Sequence, residues 1–140
     1  MTYTANILNV MPVPAGEPGV LTVRVFNSAA ESNVPVYVPW TFCRLAYAYA
    51  AVTEAIDATG AMEIDLELNA ASGTEMMSIS IAKSSDVGTI AEATVTSASA
   101  CRSLDRTNTS RDAVNIEVDG SAAAAGSADI IMYFERDDAS

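Results

Sequence analysis

The residues of this chain best placed to do chemistry are carboxylates. In "MEIDLELN", residues 62–69, Glu63, Asp65 and Glu67 alternate with Met62, Ile64, Leu66 and Leu68. Three acids so spaced could ligate a cation, share a proton, or form the wet side of a strand. Same-face neighbours on a strand lie about 6.6–6.8 Å apart, too far to share one ion without a second strand. Glu117 and Asp119 repeat the pattern in "AVNIEVDG". Any antiparallel strand with one solvated face produces the same alternation. The expectation is a solubilising face, with a calcium ion held between two acidic strands as the alternative.

Other chemistries fall to composition. The 140 residues include no histidine and two cysteines, Cys43 and Cys101. A Ser-His-Asp or Cys-His arrangement is therefore impossible, as is a histidine-ligated zinc. Ser80 and Lys83 in "SISIAK" have serine–lysine nucleophile spacing, but that pair needs a helix start, and the flanking residues alternate like a strand. "IDATG" interrupts the Asp-Thr-Gly turn of aspartic proteases with Ala58 and reads as a strand-ending turn. "LDRTNTSRD" gathers Asp105, Asn108 and Asp112 with Arg106 and Arg111. It lacks the oxygen spacing and central glycine of a calcium loop and reads as a salt-bridged loop. No catalytic residue, metal ligand or cofactor is expected.

These residues must sit on short strands. "VLTVRVFN" sets Leu21, Val23 and Val25 against Thr22, Arg24 and Phe26, and "MMSISIA" sets Met77, Ile79 and Ile81 against Met76, Ser78 and Ser80. In "AVNIEVDG" the inward set is Val114, Ile116 and Val118. "ADIIMYFERD" is apolar on both faces, with Ile130, Met132 and Phe134 on one and Ile131 and Tyr133 on the other, the pattern of a strand covered on both sides. Residues 42–58 fit a helical stripe (Leu45, Tyr49, Val52, Ile56) and also a strand; tyrosines at two-residue spacing favour the strand. The chain is one all-β domain, a single antiparallel β-sandwich, jelly-roll-like, with an extended N-terminal arm. The arm is residues 1–19 and the sandwich 20–140. The arm's apolar residues, Tyr3, Ile7, Leu8, Val10, Met11 and Val13, allow two readings: an edge strand folded onto its own domain, or a contact with a neighbouring subunit or partner.

Charge narrows the partners. The net charge is −11, with 7 Lys and Arg against 18 Asp and Glu, which leaves no basic footprint for phosphates. Neither direct nucleic-acid binding nor docking on an anionic membrane is expected. The first 16 residues are uncharged, unlike a secretory signal with its basic start, so both cysteines are expected reduced and buried. The Asn108-Thr109-Ser110 acceptor triplet is then idle.

The order "CRLAYAYAAVTEA", "AMEIDLELN", "MSISIAK", "GTIAEATVT", "DAVNIEVDG" and "ADIIMYFERD" over residues 42–136 resembles the small β-sandwich capsid decoration, or cement, proteins of tailed bacteriophages. The resemblance implies a jelly-roll-like sandwich, often a homotrimer, bound to the major capsid protein on the outside of the virion. It implies that the protein is not an enzyme and that it clamps the shell; no residue role carries over. The competing expectation is a carbohydrate- or receptor-binding module, such as part of a head fibre. Its platform would be exposed aromatics, Trp40 and Tyr37 first, then Tyr47, Tyr49 and Tyr133.

Overall fold

The computed structural model describes residues 6–10, 19–27, 31–39, 41–70, 73–102, 104–107, 109, 111–119 and 124–136. The elements are β1 (Asn6–Val10), β2 (Gly19–Phe26), β3 (Glu31–Tyr37), β4 (Cys43–Glu54) and β5 (Met62–Leu68). Then follow β6 (Thr74–Ile81), β7 (Ile90–Glu92), β8 (Thr94–Val95), β9 (Ala113–Asp119) and β10 (Ser127–Arg136). Among the described residues there is no helix, and within the ambiguous segment at 42–58 the chain forms the strand β4 over Cys43–Glu54. Alternation of small and aromatic side chains across a half-buried face outweighs the helix propensity of its alanines.

The strands form two antiparallel sheets, ordered β1-β2-β10-β4-β7 and β3-β9-β5-β6-β8. Apart from β1 and β8, the pairing is first with last (β2–β10), second with seventh (β3–β9), third with sixth (β4–β7) and fourth with fifth (β5–β6). That is one long antiparallel ribbon rolled up, the jelly roll.

Inward residues of both sheets make one core. The first sheet contributes Leu21, Val23, Val25, Ala48, Ala50, Ala128, Ile130 and Phe134, and the second Met62, Ile64, Leu66, Ile79, Ile81 and Ile116. Alanines central to one sheet face longer side chains of the other sheet, which lets the layers interdigitate. One departure from strict alternation is a β-bulge. Leu66 pairs with Met77 but Glu67 with Glu75, so Met76 is the extra residue. Met76 and Met77 are therefore both buried, although Met76 was expected on the polar face.

Residues 90–96 close one side of the sandwich. β7 pairs with β4 in the first sheet and β8 with β6 in the second, so the chain changes sheets at Ala93. The Ala93 amide donates to the Ala48 carbonyl (3.0 Å) and the Thr96 amide to the Met76 carbonyl (2.9 Å). Gly126 anchors the start of β10. Its φ of +121° and the Ile56 Cδ1 atom 2.7 Å from where a Cβ would stand leave room for glycine alone. Its carbonyl accepts the Asn27 amide at 2.9 Å.

The N-terminal segment adopts the first of its two readings over residues 6–10. β1 pairs with β2 through Asn6↔Arg24, Ile7↔Val23, Asn9↔Thr22 and Val10↔Leu21, with an irregularity at Leu8. β1 thereby extends the first sheet at its edge, beside β2. Tyr3, Met11 and Val13 lie outside the described residues.

Candidate functional site: two opposed sheet faces

The outward residues of β5 and β9 are the acids singled out in the sequence. Register places Glu63 opposite Asp119 and Asp65 opposite Glu117. On the other flank of β5, Glu67 stands opposite Glu75. Like charges directly opposed across strands are unfavourable, and no strand of this sheet carries a Lys or Arg. Burial raises the Asp65 pKa most, followed by the Glu75 charge and hydrogen bond and then Glu67 and Glu117, which together bring it to about 6.

The face is less wet than its alternation implied. Glu67 is only 8 % exposed and Asn115, its partner on β9, 1 %. Glu63 accepts the Ser80 hydroxyl at 2.8 Å, and Glu75 accepts the Thr96 hydroxyl. Among the described residues, no group of three or more Cys, Asp or Glu side chains is arranged to hold a metal ion. Sequence reading missed Glu75, because only the bulge at Met76 turns it outward, and bulges leave no trace in alternation.

The first sheet presents a different surface. Tyr133 of β10 lies opposite Tyr47 of β4, and Ile131 opposite Tyr49. The Tyr47 ring centroid is 5.7 Å from that of Tyr49 and 5.9 Å from that of Tyr133, with planes tilted by 39° and 46°. Such offset, tilted pairs suit the aromatic quadrupole. The Tyr47 hydroxyl donates to Glu92 Oε1 at 2.8 Å; that bond, with a smaller burial contribution, pushes the Tyr47 pKa up. Two ion pairs flank the row. Arg24 grips Asp129 through Nε–Oδ1 (2.8 Å) and Nη2–Oδ2 (3.2 Å), while Arg44 Nη2 meets Glu135 Oε2 at 2.6 Å.

The remaining candidates fall into structural roles. Ser80 ends a strand and Lys83 sits in the turn beyond it, so no helix start brings them together. Asp57 Oδ1 accepts both the amide and the hydroxyl of Thr59, and these bonds, with the Ala125 amide on Oδ2, hold its pKa below the usual range. In the 104–112 loop, Asp112 accepts the Asp105 amide and Asn69 Nδ2, and Asp105 accepts the Thr107 amide and hydroxyl. Backbone and side-chain donors therefore hold both aspartates where arginines were expected to. Cys43 and Cys101 are buried and not joined by a disulfide, and burial pushes the Cys101 pKa up. Tyr37 is 55 % exposed at the end of β3, on the opposite sheet from the tyrosine row; Trp40 lies outside the described residues.

No protein-family model matches the chain, and neither the curated proteins nor the solved structures contain a match. The site therefore defines a class by geometry alone: a jelly-roll module with one acidic and one aromatic outer face.

Proposed function

We propose that this chain is a structural virion protein that binds the outer face of a bacteriophage capsid and stabilises the shell, acting as a homotrimer on the major capsid protein. The observation that carries the reading is the division of chemistry between the faces. A cement protein must hold surfaces against protein, its own copies or the shell, while another faces water. Here carboxylates with no Lys or Arg on their strands concentrate on one sheet, and the aromatic surface, whose acids are nearly balanced by arginines, lies on the other. Aromatic, charge-poor centres are typical of protein contacts, and a like-charged outer face favours solubility. The resemblance in strand order over residues 42–136 supports the same class. Such a role needs no cofactor.

The test is co-sedimentation with heads of tailed phages stripped of their outer proteins. Saturable binding that raises the temperature of DNA release supports the reading; no binding to any such head counts against it. The same assay without residues 1–16 tests the arm. If Tyr3, Ile7, Leu8, Val10, Met11 and Val13 reach the shell, binding is lost while the remaining fold persists.

One observation favours carbohydrate recognition as a second reading. Tyr47, Tyr49 and Tyr133 stand together beside hydrogen-bonding groups of Glu92 and the Arg24–Asp129 pair, so both stacking and polar contacts are at hand. Glycan-array binding that is lost on Tyr47→Ala, or on Trp40→Ala, would favour it.

A further inference from the structure

We infer that copies of this chain associate through the outer face of the first sheet, with Tyr47, Tyr49 and Tyr133 at the centre of the contact. The inference rests on the proposed function only in that both need self-association, and its test uses no capsid, so the two can fail separately.

The first support is β10 itself. Its inward row is apolar throughout, and its outward row, Asp129, Ile131, Tyr133 and Glu135, is apolar at its centre. Among the described residues only the inner side is covered: Ile130, Met132 and Phe134 are buried, whereas Tyr133 is 37 % exposed. Across the same face Tyr47 is 38 % and Ile90 56 % exposed. The pattern calls for a cover that the described part of the chain does not provide.

The second support is the anatomy of the face. Its centre holds tyrosines, Ile131 and Ala51; the ion pairs Arg24–Asp129 and Arg44–Glu135 flank it. An aromatic centre within a polar rim is the arrangement in which interface residues bind most strongly. Tyrosine also offers large contact area at low conformational entropy cost. Five strands at about 4.8 Å spacing and an eight-residue β2 give a face of about 24 by 26 Å. That is the same order as the roughly 800 Å² per partner of a standard interface.

Charge selects the occupant. The chain carries −11, and seven of its carboxylates lie on strands of the other sheet, against four on strands of the first. Packing acidic sheets together would bring like charges into contact. Packing tyrosine faces together turns those charges outward and away from one another. A strongly basic partner would be drawn to the acidic sheet instead, and a strongly acidic one repelled. The rim carries both signs, so a neighbouring copy can set its Arg44 beside Glu135 in place of the pair each makes within its own chain.

The experiment is sedimentation velocity on the full chain from micromolar to hundred-micromolar concentration, wild type beside Tyr47→Ser/Tyr133→Ser. The expected result is an oligomeric wild type and a variant whose association is weakened about 100-fold or more, with unchanged far-ultraviolet circular dichroism. Should the double variant not fold, Ile90→Arg at the edge of the same face provides the same comparison. Glu117→Gln on the acidic sheet is expected to leave association unweakened. A wild type monomeric throughout overturns the inference, as does an oligomer that a folded double variant leaves intact. Monomers that use the same tyrosines only to bind a glycan or a shell also overturn the second copy as occupant.

Discussion

On β4 and β10 the outward residues include Tyr47, Tyr49, Ile131 and Tyr133; on β5 and β9 they are Glu63, Asp65, Glu67, Glu117 and Asp119. Both sets lie at two-residue spacing on central strands of one sandwich, and both back onto the same core. Their cost to the isolated chain differs. The tyrosines leave apolar surface in water, and the acids set like charges opposite one another. Neither arrangement optimises the monomer, which teaches that the faces answer to something outside the fold.

Four substitutions or conditions test that difference, and the largest effect sets the scale. Ile64 and Asp65 are neighbours on β5 with opposite directions. Ile64→Ala should cost about 3 kcal/mol by opening a cavity in the core, read as a lower denaturant midpoint. Asp65→Asn should instead stabilise the protein at pH 7, by about 1 kcal/mol after allowing for solvent screening. The sign follows from linkage: with a folded pKa raised to about 6, Asp65 favours folding when protonated. Its contribution is fully present below about pH 4 and is lost as pH rises through about 6. The gain on Asp65→Asn should therefore vanish in melts at pH 4. A substitution equally stabilising at both pH values would mean that its carboxylate is not crowded.

Smaller effects belong to the tyrosine sheet. Asp129→Asn removes the bidentate grip on Arg24 and should cost about 1 kcal/mol or less, as for a partly exposed pair, read by thermal melts at low salt. Smallest of all, added sodium chloride should raise the melting temperature of wild type by a degree or two through screening of the acidic sheet. That rise should shrink in Glu117→Gln. Salt dependence that survives in Glu117→Gln would place the repulsion elsewhere.

Alternation made the strands and their inner faces legible, from Leu21, Val23 and Val25 to Ile130, Met132 and Phe134. It also resolved 42–58 correctly once the paired tyrosines were weighed against the alanines. The bulge at Met76 was not legible, because an extra residue shifts register without altering composition; Glu75 and the crowding of Asp65 were hidden with it. The tyrosine row was half legible. Period two placed Tyr47 and Tyr49 on one face, but only the β4–β10 register brings Tyr133 beside them. The bond from Asn69 to Asp112, more than forty residues apart, has no local pattern to show it.

The strand that changes sheets at Ala93 gives the sandwich the mechanics of a bound book. β7 and β8 tie the two covers along a spine, while β1 and β3 form the fore-edge, at the opposite ends of their sheets. The spine is thin, because β7 and β8 are three and two residues long and mostly exposed. Backbone amides along it should therefore exchange with solvent before those of the central strands β4, β5, β9 and β10.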